Sequence, residues 1–501
     1  MGFLKKHAKE ISLGFALISL YVFLRLTHIL SLPMFTDEGI YIRWSQIAAQ
    51  DPAWRFISLT DGKQPMYVWV AMILLRFIHD PLFAGRLVSV GTGLGTLIGI
   101  WLLTWEMFQK KWIAFLAAFL YIIFPFALVY DRMALYESMV GMFAIWSLYI
   151  EILLVKKRRW DIAFLLGLVL GGAVLTKTNG FFNMLLILPT LLLFPWGKPN
   201  RLQVLLKWIG CAILAIVLGN IYYSILRLSP FFGIINEKNA TFVYPLKEWL
   251  YHPFTFVIGN LRGLFDWLVT YVSWGGVIVM LAAFIIEKKY WREKVILVLW
   301  FLVPFLYLAF FGKVIYPRYI YSMTLTLLPL IAISLYEIIR RIKQKYLAIC
   351  IVAFFILWYV RSDYFIIYNF AHAPIAGPDL VQYENAWPAG GGINEMVSFF
   401  KEASKNQKIY VASEGTFGSV PTLGIEIYLD KDKNIEKGGI WPIPENIPQY
   451  LLKKAKTMPV YMVFEQTQTP PKAWPLQLIV KYQKGIGNWY MSIYRVIPSE
   501  K

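Results

Sequence analysis

Repeated apolar runs of about 20 residues constrain this chain more than any other feature. They fall at roughly 11–32, 82–105, 112–129, 134–155, 161–176, 180–194, 204–226, 267–286, 295–311, 319–339 and 346–361. A helix of about that length crosses the bilayer's apolar core with every backbone hydrogen bond closed internally. The expected fold class is therefore a polytopic α-helical membrane protein with about eleven transmembrane helices. Only 16% of residues are charged and 58% are hydrophobic. Soluble domains carry roughly 25% charged residues, so much of this chain is expected to meet lipid.

The net charge of +19 would suggest nucleic-acid binding in a soluble protein. Here the basic residues cluster between apolar runs, and no nucleic-acid partner is expected; the lipid bilayer is. With a cytoplasmic N-terminus, Lys5-Lys6, Lys110-Lys111, Lys156-Lys157-Arg158-Arg159, Lys198 with Arg201, Lys288-Lys289 with Arg292 and Lys294, and Arg340-Arg341 with Lys343 and Lys345 all fall on the cytoplasmic side. That is the positive-inside pattern. One helix more or fewer would scatter the clusters onto both sides. No small-residue cleavage site follows the first run, so an uncleaved first helix is expected. The expected location is a plasma (inner) membrane, with an extracytoplasmic C-terminal domain. Cys211 and Cys350 lie inside apolar runs and imply neither a disulfide framework nor a metal cluster.

The opposite face receives residues 33–81, 130–133, 177–179, 227–266, 312–318 and everything after about 362. Within 33–81, Ile40–Ala49 and Met66–Ile78 carry apolar residues at helical spacing and read as interfacial helices. The expected domains are a transmembrane unit over 1–361, a linker over 362–392, and a small α/β domain over 393–501. The linker reading follows the Pro and Gly of 370–392. The last domain is expected to hold a helix at Ile393–Ser404, another near Gln449–Lys456, and strands at Lys408–Ala412, Ile425–Leu429, Val460–Phe464, Leu476–Tyr482 and Trp489–Val496. Gly91, Gly93, Gly95 and Gly99 lie within an apolar run without a preceding strand. They read as helix-packing positions, not as a dinucleotide loop.

Charged residues at the loop ends carry the chemical signal. Thr36-Asp37-Glu38-Gly39 follows the first run, where acids also suit a helix N-terminus. Lys63 stands just before Pro65, which opens the next helix. A lysine there is unfavourable unless an anion joins it, or unless it snorkels toward headgroups. Glu137 lies about one turn into a span, with Arg132 as its obvious local partner. Lys177-Thr178-Asn179-Gly180 interrupts two apolar runs, and Lys313 and Tyr316-Pro317-Arg318-Tyr319 precede the tenth. Together these residues are expected to form one polar cavity, with cations for a phosphate-bearing headgroup and a carboxylate free to act as a base.

With these motifs the chain resembles the GT-C fold glycosyltransferases, in the branch of protein O-mannosyltransferases and bacterial aminoarabinose transferases. The resemblance covers roughly residues 10–340. It rests on the Asp37-Glu38 pair, Lys63-Gln64-Pro65-Met66-Tyr67-Val68-Trp69, Gly85-Arg86-Leu87-Val88-Ser89, Arg132-Met133-Ala134-Leu135-Tyr136-Glu137, Leu175-Thr176-Lys177 and Arg318-Tyr319. Three positions depart from the branch: Glu137 stands where Asp is usual, Gln64 replaces a proline, and Lys177-Thr178-Asn179-Gly180 lacks the usual Lys-Gly. The C-terminal domain resembles no family.

What the resemblance implies is transfer of a hexose or pentose from a polyprenyl-phosphate donor to an acceptor hydroxyl on protein, lipid or polysaccharide, with inversion. Asp37, Glu38 and Glu137 are then the expected catalytic residues. Lys63, Arg132, Lys177, Arg318 and Tyr319 are expected to bind the donor phosphate. No cofactor is required by this reading, and a divalent metal ion is left open. The competing class is a transporter or flippase of lipid-linked sugars. It would place ionisable groups near mid-membrane and often shows internal repeats; here the charges gather at one face and no repeat is found.

Overall fold

The computed structural model describes residues 7–197 and 199–498. Lys5, Lys6 and Lys198 of the basic clusters lie outside the described residues. Along the chain run α1 (Ala8–Leu26), α2 (Thr36–Gln50), α3 (Met66–Leu74), α4 (Pro81–Phe108), α5 (Lys111–Ile122), α6 (Tyr136–Lys157), α7 (Trp160–Thr176), α8 (Arg201–Ser224), α9 (Val257–Ile286), α10 (Trp291–Phe311), α11 (Leu328–Arg341) and α12 (Lys345–Tyr368). Among the described residues, seven helices are long and apolar enough to cross a membrane: Pro81–Phe108, Tyr136–Lys157, Arg201–Leu228, Val257–Ile286, Trp291–Phe311, Pro317–Arg341 and Lys345–Tyr368.

The other four expected spans are helical too, but shorter or more charged. Ala8–Leu26 carries Lys9, Glu10 and Arg25. The expected span 112–129 is broken at Pro125, which opens a separate turn of helix, Pro125–Tyr130. Trp160–Thr176 has 17 residues, and 180–194 is a short α-helix joined to a 3-10 segment. Both helices expected in the first long loop form, as α2 and α3. The small-residue reading of α4 holds at three of its glycines. A Cβ on Gly93, Gly95 or Gly99 would meet Tyr21 and Asp131, Met142, or Ile145 and Trp146, while Gly91 faces open space.

Ion pairs show which helix ends share a face. Lys111 reaches Glu10, Lys110 reaches Glu337, Arg341 reaches Glu287, and Lys156 reaches Glu106. The described basic clusters thus converge at one end of the bundle. Residues 36–38, 63, 137, 177 and 318 belong to the other. α6 links the two, from Tyr136 to Lys157 over 22 residues, roughly 33 Å at 1.5 Å per residue. That length matches the bilayer's apolar thickness. Between the ends, Asp131 is fully buried and satisfied by Arg25, Tyr121, Ser138 and Tyr321 at 2.8–3.2 Å. A charge at this depth persists only when paired in this way.

Residues 362–392, expected as a linker, are instead folded: α12 runs on to Tyr368, and residues 370–392 lie against the bundle. Tyr383 and Asp379 are buried, Ala389 forms an antiparallel bridge with Phe35, and the Thr36 N–H donates to the Pro388 carbonyl at 3.0 Å. The Pro and Gly residues that suggested a linker let the backbone lie close to α2; a Cβ at Gly390 would come within 2.3 Å of the Met34 carbonyl oxygen.

The C-terminal domain contains α13 (Ile393–Ala403), α14 (Val420–Leu429), α15 (Gln449–Ala455) and strands β1 (Ile409–Glu414), β2 (Ile435–Ile440), β3 (Val460–Phe464), β4 (Leu476–Gln483) and β5 (Tyr490–Val496). The sheet order is β2-β1-β3-β5-β4, parallel across β2, β1 and β3 and antiparallel across β3, β5 and β4. The strand expected at Ile425–Leu429 is helical. Pro421 in the first turn favours helix there, and the apolar run is a helix buried between α2 and α13. Leu423 packs on Gly39, and Arg43 pairs with Glu426 and Asp430 at 3.3 and 3.1 Å. The strand in its place, β2, contains Gly438 and Gly439, which weaken its strand signal.

Candidate active site

Successive helix residues point about 100° apart, and this separates the two acids of α2. Asp37 faces a cavity, where its carboxylate accepts from Arg318 at 2.8 Å and lies 3.5 Å from the Lys63 ammonium. Lys63 arrives through Gly62, whose φ of 65° suits glycine; a Cβ there would come within 2.5 Å of the Lys238 Cβ. The Lys63 ammonium lies over the Tyr41 and Trp44 rings at 4.9 and 5.8 Å and is 3.4 Å from Asp61. Asp61 in turn holds Lys238 at 2.6 Å. Burial pushes the Asp37 carboxyl up, but Lys63 and Arg318 more than offset it and hold the group well below the usual carboxylate range. For Lys63, burial lowers the pKa, and Asp37 and Asp61 outweigh it and raise the group above the lysine norm. Both side chains are charged at neutral pH.

Glu137 opens α6 and accepts from Lys177 at 2.8 Å, with only 6% of its side chain exposed. Lys177 follows the last residue of α7 and lies 4.9 Å from the Tyr319 ring centroid. Arg318 is flanked by the rings of Phe35, Tyr316 and Tyr319 at 5.2–5.9 Å, and its buried Nε has no acceptor. All of these groups line one cavity of about 1540 Å³. Its charged lining is four cations (Lys63, Lys177, Lys238 and Arg318) against three carboxylates (Asp37, Asp61 and Glu137), an excess of one positive charge. One side of the cavity is apolar, with Phe181, Phe182, Leu186, Trp300, Pro304 and Phe311. The C-terminal domain contributes Phe417, Gly418 and Trp489 to the rim.

The structure therefore brings Asp37, Lys63, Glu137, Lys177, Arg318 and Tyr319 together. It does not bring Glu38 or Arg132 there. Glu38 is fully buried and faces away from the cavity, held by Arg86 through two hydrogen bonds at 2.8 and 2.9 Å and by the N–H groups of Phe35 and Ala134. Its role is to fasten α2 to α4. Arg132 donates to the carbonyls of Leu24, Thr27 and His28 at 2.6–3.0 Å and so caps the C-terminal end of α1. Its expected pairing with Glu137 is replaced by Lys177. Asp61, Lys238 and the buried, unpartnered Tyr136 hydroxyl belong to the cavity but were not among the expected site residues. The one sequence signal for Lys238 is the polar run Asn236-Glu237-Lys238-Asn239 inside an otherwise apolar stretch.

Asp37 and Glu137 each already face a cation at 2.8 Å, and no three His, Cys, Asp or Glu side chains among the described residues are grouped to hold a metal ion.

Comparison with known proteins follows the same lines. The sequence profile of the dolichyl-phosphate-mannose-protein mannosyltransferase family matches residues 62–223. No curated protein matches the chain by sequence. Among solved structures, ArnT from Cupriavidus metallidurans in the apo state aligns over 98% of both chains at 12% identity and a TM-score of 0.58. The same enzyme bound to undecaprenyl phosphate aligns over 98% of both chains at 13% identity and a TM-score of 0.56. The Archaeoglobus fulgidus oligosaccharyltransferase, tethered to an acceptor peptide containing the NVT sequon, aligns over 93% of this chain and 70% of its own at 14% identity and a TM-score of 0.52.

Proposed function

From the GT-C fold that this chain shares with those enzymes, we propose that it is a membrane glycosyltransferase. It moves a sugar from a polyprenyl-phosphate donor to an acceptor hydroxyl on the extracytoplasmic face, with inversion. The observation that carries this reading is Asp37, ionised and held between Lys63 and Arg318, in a cavity with one apolar wall and one excess positive charge. A polyprenyl-phosphate sugar is a phosphodiester with a single negative charge and an apolar tail, and so complements that cavity in both respects. The structure of Cupriavidus metallidurans ArnT bound to undecaprenyl phosphate supports the same donor class. The basic clusters at the opposite end support this choice of face, because cytoplasmic ends carry an excess of Lys and Arg.

The chemistry is one displacement. The donor phosphate takes up hydrogen bonds from Lys63 and Arg318, including the unfilled Arg318 Nε, and the tail lies along Phe181, Phe182 and Trp300. Lys177, steadied by Glu137, and the Tyr319 hydroxyl complete the electrophilic wall. As the phosphate draws the two cations away, Asp37 loses the charges that held its pKa down and becomes a competent base. The acceptor oxygen attacks the anomeric carbon and its proton passes to Asp37. The bond from that carbon to the phosphate oxygen breaks, and the electron pair leaves on polyprenyl phosphate. The leaving group departs unprotonated, so the site needs positive charge where negative charge grows, and needs no general acid.

The test is release of polyprenyl phosphate from a polyprenyl-phosphate sugar by the purified protein in lipid nanodiscs supplied with candidate acceptors. Transfer with inversion at the anomeric carbon supports the reading. Movement of intact donor across the bilayer without cleavage would instead make the protein a transporter.

A further inference from the structure

Lys484 lies in the turn between β4 and β5, fully buried, far along the chain from any residue of the cavity's charged lining. An ammonium has three protons to donate, and all three are used. One goes to the Glu465 carboxylate, one to the Trp387 carbonyl at 3.0 Å and one to the Ala389 carbonyl at 2.5 Å. Ala389 bridges Phe35, and the intervening Pro388 carbonyl accepts from both the N–H and the hydroxyl of Thr36 at 3.0 Å. Thr36 is the first residue of α2 and Asp37 is the second. The same short segment supplies Trp387 and Pro388 to the cavity wall.

We propose that Lys484 is a positioning residue for Asp37: it pins the turn segment 387–389, and that segment fixes the first turn of α2 and with it the carboxylate. The inference rests on the reading of Asp37 as the base. Lys484 is poorly explained as a stabilising feature alone. Burial pushes Glu465 up to about 7 and Lys484 down, so each partner is driven toward its neutral form. Glu465 Oε2 is left without a partner. A buried pair in such a place is weak support for stability, and replacing both members costs little. The C-terminal domain also has its own attachment to α2 through α14 and Arg43, which remains when Lys484 is changed. The clamp gives that domain a role in the chemistry without placing any of its residues on the reacting atoms.

The experiment uses the full chain in nanodiscs, with the double variant Glu465→Gln/Lys484→Met. Wild-type protein is first shown to release polyprenyl phosphate; if it does not, the base assignment fails on its own, whatever the clamp does. Hydrogen–deuterium exchange then reads the clamp independently of activity. In the double variant the amides of residues 35–41 are expected to exchange about tenfold faster or more, and kcat is expected to fall by about tenfold or more, the scale for a base slightly out of place. The donor KM is expected to stay within about twofold, because Lys63 and Arg318 are untouched. Should the double variant fail to fold, Thr36→Val weakens the clamp from the α2 side by removing the hydroxyl's bond to Pro388 while the N–H bond stays, and is expected to lower kcat by about fivefold at constant donor KM. Unchanged exchange at 35–41 in a folded double variant overturns the clamp. Faster exchange with wild-type kcat overturns its role in positioning Asp37.

Discussion

Glu38 and Asp37 are neighbours in sequence with opposite tasks, and substitution separates them. Glu38→Ala removes a carboxylate that accepts four hydrogen bonds: Arg86 Nε at 2.9 Å, Arg86 Nη2 at 2.8 Å, the Phe35 N–H at 2.9 Å and the Ala134 N–H at 2.6 Å. Arg86 would keep its bonds to the Ile29, Leu32 and Pro33 carbonyls, but its charge would remain buried without a counter-ion. Removing one partner of a buried ion pair costs about 3–5 kcal/mol. That lowers the folded-to-unfolded ratio by roughly 10²–10⁴, a large part of a typical folding free energy. Asp37→Asn keeps the side chain's volume and sits at a water-accessible cavity, so its effect on stability is expected to be smaller than that of Glu38→Ala, though not nil, because Lys63 and Arg318 lose the carboxylate they share. The assay is equilibrium unfolding in mixed micelles, followed by tryptophan fluorescence for wild type and both variants. Unfolding of Glu38→Ala at the wild-type midpoint, with turnover lost, would show that Glu38 belongs to the chemistry and refute the division of labour.

In the transfer assay, Asp37→Asn is expected to lower turnover by about 10²–10⁴ while the fold persists, the scale for loss of a general base. Because Asp37 is held below the usual carboxylate range, it stays ionised until the pH falls beneath that range. The profile of kcat/KM against pH, which reports the free enzyme, is therefore expected to show no acid limb from Asp37 near neutrality. Lys63→Met removes a cation that lowers the Asp37 pKa, so an acid limb should move up toward neutrality; an unmoved limb would mean Lys63 does not tune the base. Gly93→Ala would place a Cβ 2.2 Å from the Tyr21 hydroxyl and 2.5 Å from Asp131 Cγ, so the yield of monodisperse protein on size exclusion is expected to collapse.

The sequence announces the site where charge interrupts apolar surroundings. Asp37, Lys63, Glu137, Lys177 and Arg318 all lie at ends of apolar runs, where the cost of a charge near lipid makes it conspicuous. The same signal cannot say which way a side chain turns. Glu38 and Arg132 carry equally conspicuous charges, yet one is turned by a helical step toward Arg86 and the other is taken by the open carbonyls of α1. Lys238 escapes notice because its segment is neither a span nor a motif. In the C-terminal domain, runs rich in β-branched and aromatic residues such as β3 and β5 are readable as strands. Val420–Leu429 is not, because a short apolar run suits a buried helix and a strand alike. The contribution of residues 387–389 to the site could not be read at all, since it depends on backbone carbonyls, which every residue possesses.

A structure of the full chain with polyprenyl phosphate bound tests the central claim most directly. The phosphate is expected within about 4 Å of both the Lys63 ammonium and the Arg318 guanidinium, with the 2.8 Å contact between Arg318 and Asp37 opened and the tail along Phe181 and Trp300. Phosphate seated elsewhere, with that contact still closed, would contradict it.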